Sequence, residues 1–244
     1  MSDPAAEWRL LRLDGETAAA QMAIDERLVM GGRPTFRVFR WRRAALSFGF
    51  RQEPPAWATA DAVAAAGIEL VERPTGGGLA VHGSDLSCSV AVPATPACRL
   101  EALMRTVCAS LADVVGAWGV DARWVGDVEQ PRRITYCLAE VSPYAVMVGE
   151  RKLCGLAARR YRAGWLIQGS LLLHPLPPPF ADVMPAPVYD ALTHRAIALE
   201  AAAGTLVQDE DVAEELLRVW RARQGLPAHE PAQGFRDREA AYAV

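Results

Sequence analysis

Ile68-Glu-Leu-Val-Glu-Arg-Pro-Thr-Gly-Gly-Gly-Leu-Ala-Val-His82 runs from a strand-like segment into three consecutive glycines. After Gly83-Ser-Asp85 it continues as Leu86-Ser-Cys-Ser-Val-Ala-Val92. There Leu86, Cys88, Val90 and Val92 alternate with Ser87, Ser89 and Ala91, the period of a half-buried strand. Further along, Tyr144 to Val148 and Lys152 to Ala158 form a second strand pair, joined by a tight Gly149-Glu150 turn. Hairpins outweigh βαβ units, so the expected fold is α+β, a mixed or antiparallel sheet with helices packed on it.

The flanking elements agree. Trp8 to Leu13 reads as a strand, and Thr17 to Val29 carries Ala20, Ile24 and Leu28 at helical spacing. Strands are expected over Thr35 to Trp41 and from Ala44 to near Gln52. Ala58 to Ala66 is an alanine-rich helix closed by Gly67. Leu103, Val107, Leu111, Val114 and Trp118 mark a long amphipathic helix. A strand over Trp165 to Leu173 stops at the proline-rich Pro175 to Pro179. A C-terminal helix spans about 209–223, with a loosely held tail after it. No repeat or low-complexity linker interrupts the chain, so residues 1–244 are expected to form one domain.

The 244 residues are 51% hydrophobic and 23% charged, an ordinary globular composition, and the formal charge of −3 argues against a nucleic-acid binder. No apolar run is long enough to span a bilayer, and the N-terminus lacks the pattern of a signal peptide. Five cysteines at irregular spacing, with no Cys-x-x-Cys pair, suit reduced thiols in a cytoplasm, not a disulfide framework or a zinc site. A monomer is the simplest expectation.

Three features carry chemistry. The triple glycine, Gly76 to Gly78, serves a tight turn or lets backbone N–H groups approach a ligand, and Arg73 and His82 flank it. It has neither the Walker A lysine nor the Rossmann spacing. Lys152, just after a turn, is either a solvent-facing gatekeeper or a cation aimed into a pocket by a strand of small residues. Among the thiols, Cys88 and Cys108 fall on apolar faces as core residues, and Cys98 lies in a loop. Cys154 shares a strand face with Lys152 on the period of two, a second-choice thiol. Cys137 stands in an irregular segment behind Arg132 and Arg133, and a nearby cation favours the nucleophilic thiolate. Arg159, Arg160 and Arg162 form a basic cluster that is either solvated or a dock for an acidic partner.

On these residues the sequence resembles the lipoate–protein ligase, octanoyltransferase and biotin–protein ligase superfamily over nearly its whole length. Met22-Ala-Ile-Asp-Glu, Leu46-Ser-Phe-Gly-Phe-Arg-Gln52 and Arg73-Pro-Thr-Gly-Gly-Gly with His82 resemble its N-terminal half and acyl-binding glycine motif. Gly149-Glu-Arg-Lys152-Leu-Cys-Gly155 and Gln168-Gly169-Ser170 resemble its lysine motif and the following strand. Cys137, Ser142, Tyr144 and Lys152 match the pattern of the cysteine-bearing octanoyltransferases. The ligases' Gly-Arg-Asn-Asp signature is absent, with Val125-Gly-Asp-Val128 in its place. Gly83 stands where an Asp is common after the histidine, Gln168 where a histidine is common, and Leu156 where a serine is common.

The resemblance implies a biotin/lipoate protein ligase catalytic-domain fold and an acyltransferase with Cys137 and Lys152 as catalytic residues. Arg73, Thr75, Gly76, Gly77, Gly78, His82, Ser142, Tyr144, Gly155 and Gly169 would bind substrate, with His82 a candidate acceptor for the amine's proton. Octanoate or lipoate would pass from acyl carrier protein through a Cys137 thioester to a lysine of a lipoyl-domain protein or glycine-cleavage H protein, without cofactor or metal. Two rivals are an ATP- and Mg-dependent lipoate ligase, in which Cys137 is incidental, and a non-catalytic acyl-binding module.

Overall fold

The computed structural model describes residues 8–96, 98–126 and 134–227. Asp127, Val128, Arg132, Arg133 and the C-terminal tail lie outside the described residues, and with them the expectations resting on them. The chain opens with β1 (Arg9–Arg12), α1 (Ala18–Met30), β2 (Thr35–Phe39), β3 (Ala45–Phe48), α2 (Ala60–Ala65) and β4 (Glu69–Glu72). Next come β5 (Ala80–His82), β6 (Asp85–Pro93), α3 (Leu100–Ala117), β7 (Arg123–Val125), β8 (Ala145–Val148) and β9 (Arg151–Arg160). It closes with β10 (Gly164–Leu172), α4 (Pro179–Val183), α5 (Ala186–Arg195), α6 (Leu199–Ala203) and α7 (Asp209–Gln224).

Seven strands form a mixed sheet in the order β1-β2-β6-β10-β9-β8-β7, and β4-β3-β5 form a smaller second sheet. Among the described strands, β1–β2 and β3–β4 pair in parallel and the other pairs are antiparallel. The expected α+β class with a mixed sheet is the observed one. Register sorts the large sheet into two chemical faces. One row, Val38, Cys88, Gly169 and Leu156, faces the main core, where Phe36, Leu86, Val90 and Ile167 meet α3 and α7. Trp220 of α7 stacks on Phe36 with ring centroids 4.2 Å apart. The ends of α7 suit its dipole, with Asp209, Glu210 and Asp211 in the first turn, Arg221 and Arg223 in the last, and Gly225 in the left-handed cap.

The other face corrects the sequence reading. β6 was expected to be half-buried, with its serines toward water, yet Ser87 and Ser89 are buried. Helix α1 covers them, and the two hydroxyls are tolerable there because Ser87 donates to Asp85 and Ser89 to Asp25. The buried ion pair Arg37 Nη1–Asp25 Oδ1 spans 2.6 Å, Ser89 Oγ donates to Asp25 Oδ1 at 2.7 Å, and Gln168 Nε2 donates to Asp25 Oδ2 at 2.7 Å. A buried charge pair needs such extra hydrogen bonds to offset its desolvation.

A second correction concerns β9. Val146 pairs with Cys154 but Met147 pairs with Lys152, so Leu153 is one extra residue, a β-bulge. The bulge breaks the period of two. Cys154 therefore turns into the main core with Leu156, while Lys152 shares its face with Gly155. The expected pairing of Cys154 with Lys152 does not form. The proline-rich run after β10 is also more than a stop, because α4 and α5 use Phe180 and Leu192 to close a second core over Leu46, Val81 and Leu138. Among the described residues no helix is long and apolar enough to cross a membrane.

Candidate active site

The turn after β4 and the loop before β8 are built against each other. Leu79 N donates to Thr135 O and Cys137 N donates to Leu79 O, both at 2.8 Å, so the thiol-bearing loop docks on the strand leaving the glycines. Their approach explains Gly78, since a Cβ there would lie 2.5 Å from Ile134 O. Glu140 Oε1 closes the loop by accepting from Thr135 N at 2.7 Å and Tyr136 N at 2.8 Å.

Lys152 is not a solvent-facing gatekeeper, being only 1% exposed. Its Nζ donates to Glu140 O and Ser142 Oγ, each at 2.9 Å. A Cβ built on Gly155 would lie 2.9 Å from Cys137 Sγ and 3.3 Å from Lys152 Nζ, so thiol and ammonium converge on the space that glycine leaves.

Arg73 anchors the glycine turn from inside. Its guanidinium donates to Gly76 O (3.1 and 2.7 Å), Gly78 O (2.7 Å), Ser47 O (2.8 Å) and Ser47 Oγ (3.2 Å). Burial lowers its pKa from the ordinary arginine value, and Cys137 acts in the opposite sense, which places a fixed cation near the thiol. Thr75 Oγ1 donates to Gln168 Oε1 at 2.6 Å. Through Gln168 the turn is tied to the buried Asp25–Arg37 pair.

His82 stacks on Trp41, ring centroids 4.0 Å apart, and both its nitrogens are engaged. Nε2 lies 2.8 Å from Ser47 Oγ and Nδ1 lies 2.9 Å from Asp85 Oδ2. Asp85 supplies the carboxylate that Gly83 does not. Burial works against the charged Asp85, but His82 and the hydrogen bonds of Ser170 and Gly83 N prevail and hold it below the usual carboxylate range.

Arg73, His82, Cys137 and Gly155 line a cavity open to solvent, while Thr75, Gly76, Gly77, Gly78, Ser142 and Lys152 lie outside its lining. Met22, Phe39, Trp41, Ala80, Leu156 and Ala157 supply its apolar wall, and Ser47, Arg73, His82, Gln168 and Cys137 its polar one. Gly155 and Gly169 also line it, and Leu156 fills the space beside Gly169. The structure thus brings Cys137, Lys152, Ser142, Gly155, Arg73 and His82 together. Tyr144 is not among the lining residues. It packs against the main core at a φ of 61°, its N–H donating to Val125 O. Arg159 is not free for a partner, because Nη1 donates to Pro74 O at 3.0 Å and the guanidinium lies 3.4 Å from the Phe50 ring centre. Arg160 and Arg162 remain exposed.

Burial disfavours the thiolate form of the cysteines elsewhere in the chain. Burial pushes Cys88 and Cys108 up to about 12 and raises Cys154 well above the ordinary thiol value, and it raises Cys98 as well. Sequence reasoning missed Ser47, Trp41, Asp85 and Glu140. Only Asp85, three residues beyond His82 across a glycine turn, carried a signal that spacing could have picked up.

A thiol and a buried lysine that meet at Gly155, beside a cavity with an apolar wall, form an arrangement suited to acyl chemistry. Residues 17–221 match the family described as the Lipoyl protein ligase A/B catalytic domain, and the chain belongs to that family. It is 36% identical to the octanoyltransferase LipM of Symbiobacterium thermophilum over 68% of this chain and 65% of that protein, so the match spans just under two thirds of that relative's length. It is 31% identical to the octanoyltransferase LipM of Kyrpidia tusciae over 86% of this chain and 84% of that one. Among solved structures, a lipoate-protein ligase A bound with ATP aligns with a TM-score of 0.74 at 22% identity, covering 97% of this chain and 93% of that one. A bi-partite lipoate protein ligase from Thermoplasma acidophilum, studied with its E2 lipoyl domain, gives 0.71 at 21% identity over 97% and 91%. At these identities the structural likeness is one of fold.

Proposed function

We propose that this chain is an octanoyltransferase of protein lipoylation working through a thioester on Cys137. The observation that carries the reading is the convergence of Cys137 Sγ and Lys152 Nζ at Gly155, beside an apolar cavity. The relatives named as octanoyltransferases support octanoyl transfer as the reaction.

In the first half-reaction the Cys137 thiolate attacks the carbonyl of octanoyl–acyl carrier protein, a C–S bond forms, and the carrier leaves as thiolate. Thioester exchange is nearly isoenergetic, so no ATP and no cofactor enter. Lys152 uses two of its three ammonium donors on Glu140 O and Ser142 Oγ and turns the third to the acyl oxygen, aided by N–H groups of Gly76 to Gly78. One such donor is worth about 10²–10³ in rate. In the second half-reaction a lysine of a lipoyl-domain protein or glycine-cleavage H protein attacks the acyl-enzyme, and an amide replaces the thioester. Exposed Arg160 and Arg162 meet the acidic carrier, and the free thiols suit a cytoplasm.

Intact-protein mass spectrometry after incubation with octanoyl–acyl carrier protein, without ATP, tests this. Wild type gains an octanoyl adduct that hydroxylamine removes, and Cys137→Ser gains none. No adduct on wild type, with lipoyl-domain modification only when lipoate and ATP are supplied, overturns the transferase in favour of a ligase.

A further inference from the structure

Thiolate-for-thiolate exchange needs no base, because one thiolate enters and another leaves. Attack by an amine does need one, since an N–H proton must depart before the tetrahedral species can collapse to an amide. The cavity contains a hydrogen-bonded series that the first half-reaction does not use. Ser47 Oγ lies 2.8 Å from His82 Nε2, and His82 Nδ1 lies 2.9 Å from Asp85 Oδ2. Asp85 Oδ2 also accepts from Ser87 Oγ at 2.8 Å and Ser170 Oγ at 2.6 Å, while Oδ1 accepts from Gly83 N at 3.0 Å.

A carboxylate with so many donors stays ionised, so His82 Nδ1 carries the proton that faces it. In the neutral ring Nε2 is a lone pair, to which the Ser47 hydroxyl donates. Trp41 fixes the ring plane by stacking, with its own Nε1 held by Ser87 Oγ at 2.9 Å. Arg73 Nη1, 3.2 Å from Ser47 Oγ, supports negative charge on that oxygen. Serine, histidine and carboxylate thus stand in the order and polarity that activate an oxygen base, the geometry by which such series are recognised on unrelated folds. Ser47 and His82 line the same cavity as Cys137.

We propose that Ser47, backed by His82 and Asp85, takes the proton of the acceptor lysine in the second half-reaction. The inference rests on Cys137 carrying the acyl group. The acceptor attacks as the neutral amine and its nitrogen bonds to the acyl carbon. One N–H proton passes to Ser47 Oγ while the Ser47 proton passes to His82 Nε2. The C–S bond breaks, Cys137 leaves as thiolate, and the His82 imidazolium, stabilised by Asp85, returns its proton to solvent. Ser47 is the residue that touches the substrate. His82 and Asp85 act through it, and His82 does not meet the amine itself because both its nitrogens are occupied.

The test charges the full chain with octanoyl–acyl carrier protein and follows single-turnover discharge to a lipoyl domain and, separately, to hydroxylamine, a weakly basic amine whose tetrahedral adduct is acidic enough to lose its proton to water. In Ser47→Ala the ratio of lysine to hydroxylamine discharge falls roughly 10²-fold, the usual worth of a positioned base. Asp85→Asn lowers the same ratio and alters the pH profile of lysine discharge, where the titratable groups around His82 are Asp85 in direct contact and Arg73 and Cys137 in the same cavity. A purely structural role for these residues slows both acceptors alike, and that result, or an unchanged ratio, overturns the relay. Failure of wild type to take up the acyl group overturns the transferase reading, and the relay with it.

Discussion

Replacing Gly155 by alanine adds one methyl group at the point where the Cys137 and Lys152 side chains meet. The structure places that methyl 2.9 Å from Cys137 Sγ, 3.2 Å from Lys152 Cε and 3.3 Å from Lys152 Nζ. Carbon contacts become comfortable at about 3.5 Å, so the thiol must retreat by roughly 0.6 Å and the lysine by a few tenths. Neither moves freely, since Lys152 Nζ is held by Glu140 O and Ser142 Oγ and the Cys137 backbone by Leu79 O. Overpacking of this size costs about 1–3 kcal/mol, which for a chain of this length lowers the melting temperature by roughly 2–10 °C and leaves the fold intact. A 1 Å misplacement of reacting groups costs about 10²-fold in rate, so the acylation rate should fall by roughly 10- to 100-fold. The assay is single-turnover octanoylation followed by intact mass, with a thermal melt on the same sample. A Gly155→Ala protein that is folded and acylated at the wild-type rate would refute the claim that Cys137 and Lys152 act together at that point.

Three further outcomes follow from the same geometry. Cys154→Ala should keep wild-type acylation and lose roughly 1 kcal/mol of stability in urea, because that thiol packs in the core, and loss of the adduct would show instead that Cys154 takes part. Asp25→Ala strands the buried Arg37 and should cost about 3–5 kcal/mol in urea denaturation, and a loss below about 1 kcal/mol would show that the pair does not hold α1 to the sheet. His174 lies 2.6 Å from both Glu200 Oε2 and Asp209 Oδ1. Burial opposes its charging, but the hydrogen bonds and charges of Asp209 and Glu200 outweigh that and raise its pKa. Its contribution is therefore fully present below about pH 6.5, the unfolded value, and is lost as pH rises through the raised folded value. The melting-temperature gap between wild type and His174→Gln should be widest near the acid end and narrow on alkalinisation, and a constant gap would contradict this linkage.

Much of the fold was legible because it rests on local patterns. The alternation of Leu86, Cys88, Val90 and Val92, the helical spacing of Leu103 to Trp118 and the Gly149-Glu150 turn each follow from side-chain direction or backbone freedom within a few residues. Helices α4 to α6 were not legible. They are short, and what makes them helices is packing, of α4 and α5 over Leu46, Val81 and Leu138 and of α6 through Leu199 on the main core. The burial of Ser87 and Ser89 was likewise invisible, because an alternating pattern does not say what covers its polar side.

The site divides along the same line. The residue types and their order along the chain, with Cys137 before a hairpin, Lys152 after its turn and Arg73 before three glycines, were set by the sequence alone, and it was through the family resemblance that they pointed to acyl transfer. Which of them meet was decided by tertiary structure. One extra residue in β9 turns Lys152 toward Gly155 and Cys154 into the core. Ser47, His82 and Asp85 come from three different strands and touch only because β3 pairs with β5 and the Gly83 turn folds β6 back beside them. A bulge and a contact between sheets are set by the packing of distant segments, and that information is spread over the whole chain.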